Sequence, residues 1–307
     1  MKSPGRRGGK PDPFFSLVVL CLSLFLGACA SSPASPEGFY SGRRDFSLMG
    51  PGADLYIKAE VRSVRPILES LILGGTTGAE VKDFLDMSDT LTAAVYTGEE
   101  RRFYAAAAGR FPNARGGLFF SVSRDWEKKE SPLGMDYWYS DKSKLGVALT
   151  GKNAYLANGD PFVPSPGAQA PEALGPLQDG AVLFGWMEDP ASALNKIVAA
   201  FGVPIAIPAE RLIFGVYPAG EENQDYTAVL RFETPTPAQA NALVWIFTLA
   251  RTQIAGADFS AHPDLEALAG AFFSGGAPRQ EGNALILTSG VMKGQDLALL
   301  FNIISLY

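Results

Sequence analysis

The order of apolar and polar positions divides the chain into a leading apolar run and a mixed body. Phe14 to Leu26 is apolar apart from two serines. Further along, short apolar strands alternate with helical patterns, and Val64, Ile67 and Leu68 fall on one face of such a helix. The pattern predicts an α+β body behind an N-terminal apolar segment.

The body repeats its own pattern. Residues 95–112 and 216–235 both predict a hairpin that starts with Val-Tyr, turns at Gly-Glu-Glu and ends at Arg-Phe. Residues 52–60 and 180–188 correspond as strands, and each precedes a helical pattern. Each half therefore predicts the order β-α-β-β-α-β of a ferredoxin-like (split β-α-β) module, in two tandem halves with mainly antiparallel sheets. The alternative is chance similarity between two α+β halves.

The first residues have the three parts of a secretory signal. Basic residues outnumber acidic ones before Phe14. The apolar run Phe14–Leu26 is shorter than the about 20 apolar residues of a membrane-spanning helix. Gly27 and Ala28 then supply small residues before Cys29. This order predicts export.

The stretch Leu26-Gly27-Ala28-Cys29 resembles the lipobox of bacterial lipoproteins. The resemblance implies that Cys29 carries a diacylglycerol thioether and, after cleavage just before it, an acylated amino terminus. It also implies that the lipid bilayer is a partner, and Ala30 in place of Asp favours the outer membrane. The alternative is an ordinary signal peptide cut at Ala28 or Ala30, which leaves an incidental thiol.

A Pro-rich stretch separates the two halves of the body. The predicted organisation is a lipoprotein signal peptide at 1–28, lipidated Cys29 with a flexible tether over 29–50, a first α+β half at 51–160, a Pro-rich linker at 161–179 and a second α+β half at 180–307.

Charge excludes one class of partner. The formal net charge of −6 becomes −9 when the four basic residues and one acidic residue of 1–28 are removed. Binding to nucleic acid needs clustered Lys and Arg that neutralise phosphates. An acidic body therefore predicts no nucleic-acid partner.

Residues 146–153, GVALTGKN, match most of a phosphate-binding P-loop. Asn153 replaces the Ser or Thr that would hold Mg²⁺, and a strand pattern follows where a P-loop requires a helix. We therefore interpret Thr150–Asn153 as a hairpin turn.

The sequence predicts no metal, no cofactor and no catalytic residue. His262 is the only histidine, and it precedes a proline outside any nucleophile motif. One histidine cannot complete a tetrahedral zinc site once Cys29 is lipidated. Carboxylates could still act in acid–base chemistry if a pair were buried. The candidates are Glu99, Glu100, Asp136, Glu188, Asp189, Glu221 and Glu222.

Three consecutive aromatic residues, Tyr137, Trp138 and Tyr139, form the speculative partner-binding site. In a strand Trp138 points opposite to its neighbours. An exposed aromatic face would suit a glycan or a protein. The alternative is burial on both faces of a central strand.

Taken with the anchor, these patterns predict a non-catalytic binding or assembly module of the bacterial envelope, with an envelope protein or a glycan as its partner. The alternative function is a lipid-anchored hydrolase that uses carboxylates in a cleft between the halves. The apolar C-terminal stretch 296–307 is too short to span a membrane and predicts a helix docked on the core.

Overall fold

The strands in a computed structural model of this chain form one antiparallel sheet. The structure describes residues 36–73, 79–98, 101–111, 120–121, 124–191, 195, 207–220, 225–254 and 269–299. Within these residues the sheet has thirteen strands. The predicted signal peptide 1–28 and Cys29 lie outside the described residues.

The strands are β1 (Leu55–Glu60), β2 (Ser88–Tyr96), β3 (Arg102–Gly109), β4 (Glu127–Glu130), β5 (Asp136–Ser140), β6 (Leu145–Leu149), β7 (Asn153–Ala157), β8 (Leu183–Glu188), β9 (Arg211–Pro218), β10 (Asp225–Glu233), β11 (Arg279–Glu281), β12 (Ala284–Thr288) and β13 (Met292–Lys293). The helices are α1 (Pro36–Phe39), α2 (Arg65–Leu73), α3 (Ala79–Met87), α4 (Gly175–Gln178) and α5 (Pro237–Ile254). Two 3₁₀ helices cover Asp45–Leu48 and Glu172–Leu174, and residues 269–273 and 294–299 are also helical.

The strand order is built around one pair, β8 and β1, with four further strands beyond β8 and six beyond β1. It runs β11-β12-β10-β9-β8-β1-β2-β3-β7-β6-β5-β4, and β13 pairs with β10. An α+β fold with a large antiparallel sheet is therefore confirmed, but the ferredoxin-like order of the halves is not. A split β-α-β unit places its third strand between the first two, whereas here β1, β2 and β3 are neighbours in chain order.

Helices cover one face of the sheet. Val64 and Ile67 of the α2 region and Leu243 of α5 are fully buried against apolar side chains from the strands, among them Leu212 and Val216 of β9. The spacing of these side chains on each helix creates the apolar stripe that packs on the sheet. This half of the core follows the pattern that the sequence predicts.

The other face is covered by two segments whose regular structure is limited to short helical turns. Tyr40, Phe46 and Met49 of the N-terminal segment are buried there. Phe162 and Leu174 of the predicted linker 161–179 are buried beside them. Of the tether predicted over 29–50, residues 36–50 therefore pack on the sheet, because their aromatic side chains cover an otherwise exposed apolar surface.

The two halves meet through β1 and β8. Tyr56 lies opposite Trp186 in this pair, and their rings stack with centroids 4.3 Å apart. Gly185 lies opposite Ile57, and a Cβ atom at Gly185 would lie 1.9 Å from the Tyr56 carbonyl oxygen. The halves thus share main-chain hydrogen bonds, and the apolar cluster on each face draws side chains from both halves.

Both ends of the sheet are polar. The edge strand β4 has the sequence Glu-Lys-Lys-Glu, and the opposite edge strand β11 has Arg-Gln-Glu. Neither strand contains an apolar residue. The sequence pattern predicts neither of them, because each is placed by main-chain pairing with an inner neighbour, β5 or β12.

Candidate functional site

A groove of about 410 Å³ lies between the N-terminal segment and the sheet. Residues between Tyr40 and Leu48 form one side, and β2, β3 and β7 form the floor. A volume of this size lies within the range of about 300–1,000 Å³ that is usual for small-molecule sites. We call this feature the N-terminal groove.

The floor of the N-terminal groove follows from strand register. Ala108 of β3 pairs with Thr90 on one side and Asn153 on the other. Directly paired residues share a face of the sheet, so these three side chains form one row. Ala106, Thr92 and Tyr155 form the next row in the same way.

Small side chains leave a depression in this part of the sheet surface. Further along the same face, large rings such as Tyr96, Tyr104 and Trp186 fill the space above the strands. At the groove the corresponding positions carry Ala, Thr or Asn, apart from Tyr155 at its margin. Within the run of four alanines in β3, residues 105–108, Ala106 and Ala108 face the groove and leave the depression.

Two stacked tyrosines wall the groove. The rings of Tyr40 and Tyr155 are 4.7 Å apart and nearly parallel. The Tyr40 hydroxyl accepts a hydrogen bond of 3.0 Å from the Val163 backbone N–H. Burial raises the pKa of Tyr40 well above its ordinary value. Its hydroxyl therefore stays protonated and neutral at physiological pH.

The opposite wall begins at a left-handed turn. Asp45 has φ +52°, which is uncommon for a residue with a side chain. Its carboxylate forms an ion pair of 2.6 Å with Lys58 of β1. The Ser47 hydroxyl accepts from the Arg44 backbone N–H at 2.8 Å and donates to the Arg44 carbonyl at 2.6 Å. These contacts hold the backbone of Arg44 in place, and the Arg44 side chain lines the groove.

The predicted aromatic site is half-buried by contacts within the protein. Tyr137 meets Phe162 edge to face, with centroids 6.4 Å apart. Trp138 stacks on Phe120 from the opposite face of β5, with centroids 5.8 Å apart. The Lys129 ammonium lies 4.1 Å from the centre of the Tyr139 ring. The alternation along the strand is as predicted, while a partner for these residues remains a prediction.

The predicted carboxylates do not converge in the described part of the chain. Asp136 pairs with Lys128 at 2.6 Å, and Asp189 lies at an exposed position with φ +45°. Glu188 pairs with Arg211 at 3.1 Å and accepts from the Trp186 indole N–H at 3.1 Å. The candidates Glu99, Glu100, Glu221 and Glu222, and also His262, lie outside the described residues.

The P-loop-like stretch forms a hairpin turn, as predicted. β6 and β7 pair antiparallel up to Leu149 and Ala154. The Thr150 backbone N–H donates to the Asn153 carbonyl at 2.8 Å, and Gly151 takes φ +80°. This turn carries Lys152 to the N-terminal groove.

One exposed apolar patch lies away from the groove. Trp245 and Leu249 of α5 are 70% and 52% exposed and lie one helical turn apart. Exposed apolar patches are typical of contact surfaces.

Two searches of the described residues were negative. None of the helices there has the length and apolar character needed to cross a membrane. Within the same ranges, His, Cys, Asp and Glu side chains form no cluster with the geometry of a metal site.

The sheet and its two unlike covers define an α+β protein with one continuous antiparallel sheet and a groove on the face opposite α2 and α5. Solved structures of TP0453 have a similar fold. Crystal form I gives a TM-score of 0.60 at 16% identity, covering 87% of this chain and 99% of that chain. Crystal form IV gives 0.58 at 14% identity, covering 86% and 99%. Crystal form III gives 0.58 at 15%, covering 85% and 98%.

These likenesses show a shared fold. No protein-family model matches the chain, and a comparison with curated protein sequences finds no match. The groove and the sequence are therefore the features that bear on function.

Proposed function

We propose that this chain is a lipid-anchored protein of the bacterial envelope whose folded body is a non-catalytic binding module for a small ligand. The anchor is acylated Cys29, and the outer membrane is the proposed location. The signal-like order of residues 1–28 and the lipobox-like stretch before Cys29 support the anchor. Two or three acyl chains would hold the protein stably at a bilayer.

The N-terminal groove carries the binding role. It is a concave site of ligand size, and its floor is built by residues that the strand register fixes. Concave sites with a few convergent polar groups are where proteins bind small molecules. The groove begins at Tyr40, eleven residues along the chain from Cys29.

A filled groove tests the binding role. Ala108→Leu adds three carbons to an exposed position on the floor, and Ala238→Leu adds the same group to an exposed position on α5. The measurement is thermal unfolding with pools of small sugars, amino acids, peptides and phosphate esters, because a ligand that binds the folded state raises Tm.

We expect at least one pool to raise the Tm of the wild type and of Ala238→Leu but not that of Ala108→Leu. If no pool acts on the wild type, or if both variants respond equally, the groove is not the binding site and this proposal is wrong.

A separate experiment tests the anchor. Intact mass and membrane fractionation are compared between the wild type and Cys29→Ala expressed in a bacterial host. We expect added acyl mass and membrane partition for the wild type alone. Identical, soluble and unacylated forms would contradict the anchor and leave the groove proposal to its own test.

The hydrolase alternative requires a buried carboxylate pair between the halves. At that boundary β1 and β8 pair directly, and Glu188 is occupied by Arg211 and Trp186. The described residues at this boundary therefore favour the binding role.

The fold also supports an internal duplication, which we propose as the origin of the two halves. β1, β2, β3 and β7 occupy the same places on one side of the β1–β8 boundary as β8, β9, β10 and β12 on the other. The two hairpins with matching Val-Tyr and Arg-Phe ends are β2–β3 and β9–β10.

A further inference from the structure

The N-terminal groove carries an excess of positive charge in a chain that is acidic overall. Arg43, Arg44 and Lys152 line it, and Asp45 is the acidic residue among its described lining. Lys58 neutralises Asp45 through the ion pair of 2.6 Å. Within the described ranges, no ion pair joins Arg43, Arg44 or Lys152 to a carboxylate. The cations are therefore available to a ligand.

Arg43 is oriented by the segment that forms the wall. Its backbone N–H donates to the Tyr40 carbonyl at 3.0 Å. Its Nη1 donates to the Phe39 carbonyl at 3.4 Å, and the guanidinium carbon lies 5.9 Å from the centre of the Phe39 ring. A guanidinium has five N–H donors, so this contact leaves donors for a second group.

Lys152 is oriented by the end of β3. The Gly109 N–H donates to the Lys152 carbonyl at 2.8 Å, and the Phe111 N–H donates to the Gly151 carbonyl at 2.9 Å. The hairpin turn is thereby held against the strand that forms the floor. Three cations thus project from backbone that is already fixed, which lowers the entropy lost on binding.

We infer that the groove binds a small molecule through a phosphate-type oxyanion held by Arg43, Arg44 and Lys152. This inference names the ligand class of the groove and rests on the binding role proposed above. Guanidinium groups present paired donors that match the oxygens of a phosphate, and an ammonium adds a compact charge. The acidic remainder of the chain repels anions, so the attraction is confined to this site.

The floor of the groove can bind a polar group attached to the phosphate of the ligand. The Thr90 hydroxyl and the Asn153 amide lie in one row on either side of Ala108. Both groups donate and accept hydrogen bonds. A phosphate ester with a short hydroxylated body would place its charge at the cationic rim and its hydroxyls on this row.

The test uses the protein purified from membranes in a nonionic detergent. Glycerol 3-phosphate is titrated while thermal unfolding is followed, and glycerol is the neutral comparison. A second arm adds phosphatidylglycerol to the micelles and compares it with phosphatidylcholine, which separates a soluble ester from a lipid headgroup as the source of the phosphate. Lys152→Gln and Arg44→Gln remove one charge each at the groove. Lys293→Gln removes one charge from an exposed position on β13, in the other half.

We expect saturable binding of glycerol 3-phosphate or of phosphatidylglycerol, with affinity that falls as salt is raised. Lys152→Gln and Arg44→Gln should each weaken it about tenfold, because each loses a charge-assisted hydrogen bond. Lys293→Gln should bind as the wild type does.

Equal responses to glycerol and to glycerol 3-phosphate, or equal loss in all three charge variants, overturn the inference. If Ala108→Leu blocks a neutral ligand while Lys152→Gln and Arg44→Gln have no effect, the binding role stands and the oxyanion assignment is wrong.

Discussion

Tyr56 and Tyr96 donate hydrogen bonds to the same acceptor, the carbonyl oxygen of Gly50, at 2.8 and 2.9 Å. The two tyrosines lie on the neighbouring strands β1 and β2. Gly50 belongs to the N-terminal segment, so this pair of bonds fixes the end of that segment to the sheet. A Cβ atom at Gly50 would lie 2.9 Å from the Tyr96 hydroxyl, so a side chain there would displace that hydroxyl.

The two hydroxyls predict unequal losses of stability. Tyr96→Phe should lower the free energy of unfolding by about 1 kcal/mol, because Gly50 keeps Tyr56 as a donor. Tyr56→Phe should lower it by more, about 2 kcal/mol, because the buried Ala53 N–H also loses its acceptor at 3.0 Å. Urea unfolding of both single variants measures the difference.

The double variant Tyr56→Phe/Tyr96→Phe leaves the Gly50 carbonyl without either donor. We expect its loss of unfolding free energy to exceed the sum of the two single losses. Each single variant leaves the buried carbonyl one donor, whereas the double variant leaves it none. Strict additivity in the double-mutant cycle would contradict this account of the shared acceptor.

The close approach of β1 and β8 at Gly185 predicts that one added methyl group lowers stability strongly. Gly185→Ala would place Cβ 1.9 Å from the Tyr56 carbonyl oxygen, so β1 and β8 would have to separate. We expect a loss of at least about 2 kcal/mol, the upper part of the range for overpacking. Chemical denaturation followed by tyrosine and tryptophan fluorescence measures it.

Gly175→Ala is the matched control. Nothing lies within 4 Å of a Cβ atom at Gly175, whose φ is −48°. We expect no loss of stability there. Equal stabilities of the two alanine variants would show that the halves do not depend on this close pairing.

The half-buried carboxyl of Asp160 predicts that its replacement raises stability in a pH-dependent way. Burial raises the pKa of Asp160 above its ordinary value. A raised folded-state pKa means that the folded protein binds the proton more tightly, so this group stabilises the fold at low pH and loses that contribution as pH rises. Asp160→Asn removes the charge and keeps an acceptor for the Phe162 N–H, now 3.0 Å from the carboxyl oxygen.

We therefore expect Asp160→Asn to be slightly more stable than the wild type at pH 7 and to lose that advantage as the pH falls towards 4, near the ordinary value for Asp. Urea unfolding at both pH values measures the two differences. An advantage that is independent of pH, or a loss at pH 7, would rule out burial of the charge as the cause.

Two neighbouring residues of α5 predict opposite outcomes. Trp245 is 70% exposed, whereas Leu243 is fully buried. Trp245→Ser should change stability by no more than about 0.5 kcal/mol, while Leu243→Ala should lower it by about 2–5 kcal/mol. Light scattering at high protein concentration should also show less self-association for Trp245→Ser, because an exposed apolar patch is removed. A large loss of stability in Trp245→Ser would mean that this side chain is buried in solution.

Sequence periodicity predicts a strand or a helix where the segment carries its own apolar pattern. It predicts β1, the apolar face of the α2 region that buries Val64 and Ile67, and both hairpins. It does not predict the strand order, because the same sequence of elements is compatible with more than one order of antiparallel neighbours. Long-range pairing, such as Leu55 with Met187, decides between them.

The groove was missed for a different reason. Residues 40–48 are polar in most positions and were expected to form a tether, and the significance of Arg43 and Arg44 depends on what they face across the sheet. Tyr40, Phe46 and Met49 were the available signal, since a flexible tether has no use for large apolar side chains. Ala106 and Ala108 of β3 indicate a depression only once the face of the sheet that they share is known.

The charged edge strands β4 and β11 set a limit on how the protein can associate. Sheets longer than about ten strands are uncommon, and an open edge is a template to which another copy can add. A second molecule that paired with either edge would have to desolvate Lys128, Glu127 or Arg279, whose side chains are 56%, 72% and 67% exposed. On a membrane, where the proposed acyl anchor would concentrate the protein in two dimensions, such edges keep neighbouring copies from joining into a continuous fibre.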